Sequence, residues 1–228
     1  MNDITGIQKE FGPKIAAKAF EMEAIKLSTE DPFRWASGYR MPIYNDNRRL
    51  LADHSARNLI AEGFSALIEH LGITFHGIAG TATAGIPHAT TLSDKLKMPL
   101  LYVRSAGKDH GMKNQIEGTG PVYSIGGKNI LLIEDLISTG GSSIRAVEAL
   151  RAQKALVPFC LSIFTYNLPS SAEAFGKLDP SCTSISLLDY DTMLSTAVDS
   201  GYLDADSLRL LKEWREDPFN WGSSNNFS

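Results

Sequence analysis

The sequence predicts an α/β protein whose parallel β-sheet is covered by helices on both faces. Short apolar segments of strand length alternate with segments of helical periodicity over most of the chain, and the segment at 129–134 is the most apolar of them. This alternation is typical of a parallel sheet, because the helices that connect parallel strands bury both of its faces. Strands are expected at 73–79, 99–104, 129–134, 157–166 and 183–188.

The helices are predicted from apolar residues that recur every three or four positions. This spacing occurs within residues 13–27, and an Asp-Pro pair at 31–32 breaks it. A longer amphipathic helix is expected from Ala56 to Leu71, with Gly72 as its C-terminal stop. Further helices are expected at 86–97, near 142–154, at 170–177 and from 204 to about 214.

Two regions are expected to lack long regular elements. Residues 33–48 are rich in aromatic side chains and interrupted by Gly38 and Pro42, which predicts short extended segments joined by a turn. The final residues, 222–228, are mostly Gly, Ser and Asn, and we expect them to be disordered.

Composition narrows the functional class. The chain has 22 Lys and Arg against 26 Asp and Glu, and this acidic balance disfavours a general nucleic-acid binder. No apolar run reaches the roughly 18 residues of a membrane-spanning helix, and the N-terminus lacks the apolar stretch of a secretory signal. Cys160 and Cys182 lack metal-ligand spacing, so buried free thiols are favoured over a disulfide or redox pair. We therefore expect a cytoplasmic globular protein that binds neither membranes nor nucleic acid.

The segment at 130–143 combines an apolar strand, the adjacent acids Glu134 and Asp135, and a turn of Gly, Ser and Thr before a helix. Such a turn exposes backbone N–H groups at a helix N-terminus, which suits a phosphate dianion. The acids repel phosphate, but ionised carboxylates are strong acceptors for the vicinal hydroxyls of a sugar. Phosphate and diol together indicate a ribose 5-phosphate; the alternative is an ordinary strand and helix start.

Two further segments carry weaker signals. The turn at 80–85 follows a strand and precedes a helix, so it is either an anion-binding turn or a plain connection. Residues 105–121 contain four glycines and no apolar face, and a loop of this length is usually a functional lid or disordered. Cations in and beside this loop either form a solvated face or fold over a polyanion: they are Arg104, Lys108, His110 and Lys113.

These motifs resemble those of a known family. Glu134-Asp135, two apolar residues and Ser-Thr-Gly-Gly-Ser resemble the phosphoribosyl pyrophosphate (PRPP) motif of the type I phosphoribosyltransferases. The pattern Arg-x-x-x-Lys-Asp-His-Gly at 104–111, with the segments at 35–48 and 80–88, is similar to the orotate-specific bacterial branch of that family. The resemblance covers residues 30–167.

The resemblance implies a Rossmann-like parallel sheet flanked by helices, with a small N-terminal hood. A single domain of 1–228 is expected, with helix and hood at about 1–50, core at about 51–190 and C-terminal helices and tail at about 191–228. The implied reaction transfers the 5-phosphoribosyl group from PRPP to orotate in UMP biosynthesis, with Mg²⁺ bound through PRPP and water rather than directly by the protein. The implied assembly is a homodimer in which each lid reaches the neighbouring site.

The resemblance also implies roles for particular residues. Catalysis would depend on Lys108, Arg104, His110 and Asp135. PRPP would be bound by Arg104, Lys108, His110, Glu134, Asp135, Leu136, Ile137, Ser138, Thr139, Gly140, Gly141 and Ser142. Ser138 would also contact orotate. Tyr44 either stacks on the orotate ring or packs in the core, and for Arg48 a salt bridge is favoured over an orotate contact.

The sequence departs from the family pattern at two positions and leaves two alternatives open. Ser105 and Ala84 stand where some relatives carry a basic residue, so these two positions add no cation for pyrophosphate. One alternative is a phosphoribosyltransferase for a purine or another base. The other is a PRPP-sensing regulator without turnover, which the acidic balance disfavours.

Overall fold

The structure is a computed structural model that describes residues 3–35, 38–105 and 115–227. Its strands are β1 (Ile25–Leu27), β2 (Phe33–Arg34), β3 (Arg40–Met41), β4 (Ile43–Asn45), β5 (Gly77–Thr81), β6 (Leu100–Val103), β7 (Ile116–Glu117), β8 (Ile130–Ile137), β9 (Phe159–Thr165) and β10 (Thr183–Asp189). Its α-helices are α1 (Thr5–Glu21), α2 (His54–Leu71), α3 (Gly85–Leu96), α4 (Gly141–Ala152), α5 (Pro169–Gly176), α6 (Tyr190–Asp199), α7 (Ala205–Glu216) and α8 (Trp221–Ser224).

The central sheet has, within the described residues, the strand order β10-β9-β8-β5-β6-β7. All neighbouring strands are parallel except β7, which runs antiparallel to β6 at the edge. The five predicted parallel strands are confirmed. The order reverses between β5 and β8, because the chain continues from β5 to one side and from β8 to the other. Open sheets of this kind bind ligands at the carboxyl ends of the strands beside such a reversal.

Helices cover both faces of the sheet, as predicted. Alternate residues of β8 serve the two faces: Leu131 and Ile133 join the cluster with α1, α2 and α3, whereas Ile130 and Leu132 join the cluster with α4 and α5. Strands apolar on both faces are the consequence of this double cover. The predicted free, buried cysteines are also confirmed: burial raises the pKa of both thiols.

The hood consists of two small antiparallel pairs, β1 with β4 and β2 with β3, followed by a 3₁₀ helix at Asn47–Ala52. The expected short extended segments at 33–48 are thus confirmed. The buried side chain of Asn47 donates a hydrogen bond of 2.9 Å to the backbone oxygen of Asp135. This bond joins the hood to the end of β8, where the two acids lie.

Some expected boundaries were wrong. The N-terminal helix begins at Thr5 and ends at Glu21, and residues 25–27 form β1. Strand β8 continues past the two acids to Ile137, because its last residues pair with β9.

The expected disorder of 222–228 was also wrong for the described residues up to 227. Trp221 is buried and its ring stacks on Phe227 with centroids 5.5 Å apart. Gly222 lies so close to β3 that a Cβ there would be 2.8 Å from the Cβ of Arg40. Two aromatic anchors therefore hold this polar tail against the hood. In the described ranges, no helix combines the length and apolarity needed to cross a membrane.

Candidate active site

A cleft of about 590 Å³ lies at the carboxyl ends of β5 and β8, at the reversal of strand order. Three segments surround it: the hood, the turn after β5 and the turn after β8. Its lining comprises Asn45, Asp46, Arg48, Ala82, Thr83, Ala84, Glu134, Asp135, Leu136, Ser138, Thr139, Gly140, Gly141, Ser142 and Arg145. The structure thus brings most of the predicted PRPP motif together in one cleft.

The turn after β8 leads directly into α4. Gly140 has a φ of +84°, the left-handed region that favours glycine, and a Cβ there would lie 3.4 Å from the Phe175 ring. The first N–H groups of a helix have no intrahelical acceptor, so this end of α4 presents donors and positive dipole toward the cleft. A phosphate dianion is the ligand that this arrangement suits.

Glu134 is 4% exposed and joins three elements. Its Oε1 accepts hydrogen bonds from Thr81 Oγ1 at 2.6 Å and from the Asp135 backbone N–H at 3.0 Å. Its Oε2 accepts from the hydroxyls of Ser142 at 3.3 Å and Ser143 at 3.1 Å. The side chain therefore fixes the ends of β5, β8 and α4 relative to one another.

The close approach of β5, β8 and α3 depends on Gly85. A Cβ at this position would lie 2.5 Å from Thr81 Oγ1 and 2.6 Å from the backbone oxygen of Ile133. A larger residue would push α3 away and break the contact between Thr81 and Glu134. The sequence prediction missed Thr81, although its place at the end of a strand in the turn at 80–85 was a usable signal.

Asp135 lines the cleft beside Glu134. Burial, reinforced by the hydrogen bond and negative charge of Glu134, raises its pKa to about 8. At neutral pH the carboxyl group therefore holds a proton in the free protein. It can exchange hydrogen bonds with sugar hydroxyls, and an approaching cation favours its ionised form.

The hood supplies the opposite wall of the cleft. Arg48 pairs with Asp46 through contacts of 2.5 Å and 3.0 Å, so the salt bridge favoured for Arg48 is confirmed. The side-chain nitrogen and oxygen of Asn45 are both buried and, among the described residues, have no hydrogen-bond partner. A buried carboxamide without partners is costly unless a ligand completes its bonds.

Tyr44 lies outside the cleft lining. It alternates with Asn45 along β4, and its ring packs against Phe33 with centroids 5.8 Å apart. Ile137, another predicted site residue, is buried in the cluster with α4, so its side chain points away from the cleft. Their assigned ligand contacts stay predictions.

The lid cations are only partly described. Arg104 follows β6, and its Nη1 lies 3.5 Å from Glu117 Oε1. Lys108 and His110 lie outside the described residues, as does Lys113. Sequence reasoning also missed Arg145, which lines the cleft from α4. Its position four residues after Gly141 was a signal, because residues i and i+4 share a helix face.

Comparisons with known proteins agree with this geometry. Residues 47–186 match the phosphoribosyl transferase domain family. The orotate phosphoribosyltransferase of Enterococcus faecalis is 44% identical over 209 residues, covering 92% of this chain and 97% of that protein. That of Streptococcus agalactiae is 44% identical over 210 residues, covering 92% and 98%. The crystal structure of the orotate phosphoribosyltransferase from Aeropyrum pernix has a TM-score of 0.67 and 26% identity, covering 83% of this chain and 99% of that one.

The sheet, the cleft and the matched domain define the class of this protein, that of the phosphoribosyltransferases, which are pentosyltransferases. The relatives define the group more closely. The chain belongs to the orotate phosphoribosyltransferase family.

Proposed function

We propose that this protein transfers the 5-phosphoribosyl group from PRPP to orotate, giving orotidine 5′-monophosphate and pyrophosphate on the route to UMP. The observation that carries the proposal is one cleft that joins a phosphate-binding turn, an acid suited to a diol, and a hood with an unsatisfied carboxamide. Curated relatives of nearly the same length are named orotate phosphoribosyltransferase, which supports the same reaction.

The ribose 5-phosphate end occupies the turn after β8. Residues 138–142 hold the 5-phosphate through backbone N–H groups and hydroxyls at the start of α4. Asp135 binds the ribose hydroxyls, and Glu134 holds the turn in place through its bonds to Thr81 and Ser143.

The base lies between Ser138 and the hood. A carboxamide offers one acceptor and two donors, which match the N–H and C=O groups of a pyrimidine's imide edge. The amide of Asn45 on this wall has no partner among the described residues and supports a base that presents a donor beside an acceptor, as orotate does, and the names of the relatives support orotate in particular. Ser138 and Tyr44 remain proposed orotate contacts.

The reaction needs no protein nucleophile. N1 of orotate forms a bond to C1 of the ribose while the bond from C1 to the pyrophosphate oxygen breaks. The electron pair of that bond stays with pyrophosphate, and the N1 proton leaves to solvent. Catalysis is then mostly positioning and charge stabilisation, with Arg104, Lys108 and His110 neutralising the leaving group and Asp135 facing the cationic ring.

Mg²⁺ is proposed as the cofactor. Within the described residues, no three His, Cys, Asp or Glu side chains are grouped as a metal site. The cleft carboxylate of Asp135 beside bound phosphates suits an ion held mainly by substrate and water, as Mg²⁺ usually is. When bound, Mg²⁺ would add charge neutralisation on pyrophosphate.

The remaining organisation follows the family. We propose a single domain at 1–228, in the divisions given above, because the relatives are matched over 97–98% of their length. A homodimer with a shared lid and a cytoplasmic location are proposed on the family resemblance.

The test is a turnover assay with a panel of bases. Purified protein with Mg²⁺ and PRPP is expected to consume orotate and release one pyrophosphate per orotate. Adenine, hypoxanthine and guanine are expected to give no release above background. Activity with a purine and none with orotate would refute the proposal, and PRPP binding without any turnover would favour a sensing regulator.

A further inference from the structure

We propose that Arg145 binds the pyrophosphate group of PRPP and acts as a further cation on the leaving group. This inference rests on the proposed function, since it concerns the same substrate. It concerns a residue of α4 rather than one of the lid.

The position of Arg145 places its guanidinium group over the first turn of α4. Its Nη1 lies 3.4 Å from where a Cβ on Gly141 would be, so the side chain folds back toward the helix N-terminus. The guanidinium group therefore lies at the edge of the phosphate-binding turn and lines the cleft.

Arg145 also lines a second, smaller pocket, which we call the side pocket. It adjoins the cleft between the turn after β5 and the start of the lid segment. Its lining is Thr81, Ala82, Val103, Arg104, Ser105, Ser142, Arg145 and Ala146. The lining as described includes two arginines and no acid, and the hydroxyls of Thr81 and Ser142 donate to Glu134. Two arginines beside a space of about 30 Å³ suit oxygens of a multiply charged anion that extends into it from the cleft.

Within the described part of the chain, the guanidinium group of Arg145 makes no hydrogen bond and no ion pair. The other cleft cation, Arg48, is neutralised by Asp46, and Arg104 lies 3.5 Å from Glu117. Ala84 in the cleft and Ser105 in the side pocket add no charge. Arg145 is thus available for the incoming polyanion.

The side pocket favours pyrophosphate over the 5-phosphate as the group that Arg145 binds. The 5-phosphate has its own donors at residues 138–142, at the start of α4. The side pocket begins at Ser142, the last residue of that turn, and extends toward the turn after β5 and Arg104. Pyrophosphate, attached at C1 on the other end of the ribose, is the group that reaches it.

The experiment measures binding of two partial ligands by calorimetry: pyrophosphate with Mg²⁺, and ribose 5-phosphate. R145Q is expected to weaken pyrophosphate binding about 10-fold, the scale of one charge-assisted hydrogen bond, and to change ribose 5-phosphate binding less than about 2-fold. R145K, which keeps the charge, is expected to restore most of the pyrophosphate affinity. R209Q, which removes an exposed arginine of α7 paired with Glu213, is the matched control and is expected to change neither affinity.

Two results would overturn the inference: unchanged pyrophosphate binding in R145Q, or weaker ribose 5-phosphate binding with pyrophosphate unaffected. The proposed function fails separately. Wild-type protein that binds both ligands but does not consume orotate contradicts the reaction, and the calorimetry still decides the role of Arg145.

Discussion

Replacing Asp135 with Asn should change how stability depends on pH. In the folded protein the pKa of Asp135 is raised from 3.8 to about 8, chiefly by burial. The folded state therefore holds a proton that the unfolded state releases above pH 4. Stability falls as pH rises between the two pKa values and is level above the higher one. At about 1.36 kcal/mol per pH unit, the three units from pH 5 to pH 8 correspond to a loss on the order of 4 kcal/mol.

The assay is urea unfolding of wild type and D135N at intervals from pH 5 to pH 9. The free energy of unfolding of D135N minus that of wild type should rise by an amount on the order of 4 kcal/mol from pH 5 to pH 8. Above pH 8 this difference should remain constant. D53N is the control. Hydrogen bonds from Ser55 lower the pKa of Asp53 to about 2, so this carboxylate is ionised in both states throughout the range. A D135N difference as flat as that of D53N would refute the reasoning about the buried acid.

Three further predictions concern the lid, the base and the tail. K108A should lower kcat about 100-fold in steady-state turnover, because one preorganised charge-stabilising group is lost. An unchanged kcat would show that Lys108 does not contribute to catalysis. N45A should raise the KM for orotate about 10-fold while leaving the KM for PRPP unchanged, because the proposed partner of the hood amide is the base. Equal changes in both constants would contradict that role. W221A should lower the free energy of unfolding by about 3 kcal/mol, because a buried indole is lost. In urea titrations, a change below about 1 kcal/mol would show that Trp221 does not anchor the tail.

The sequence was sufficient to predict the parallel sheet and the position of the main site. A continuous apolar run such as 130–133 is typical of a strand in a sheet covered on both faces. The motif around Glu134 and Asp135 is local in sequence, so its strand, acids and turn could be recognised together.

The tail and the helix ends could not be predicted, because tertiary contacts decide them. Residues 222–227 are polar by composition, and only the contact of Trp221 with Phe227 and of Gly222 with β3 orders them. Likewise, residues 25–27 continue a helical pattern but pair with β4 instead.

The detailed site depends on contacts between residues distant in sequence. The bond from Thr81 to Glu134 joins residues 53 positions apart, and the bond from Asn47 to Asp135 joins residues 88 apart. The sequence around Glu134 and Asp135 does not indicate that Thr81 and Asn47 are their partners. Arg145 was missed for a similar reason: its helix position was predictable, but the side pocket forms only when β5, β6 and α4 meet.

The most direct test of the central claim is a crystal structure of the protein with PRPP and Mg²⁺. We expect the 5-phosphate within hydrogen-bond distance of the backbone N–H groups at the start of α4, and the ribose hydroxyls beside Asp135. Clear density for PRPP elsewhere, with the turn at 138–142 empty, would contradict the account.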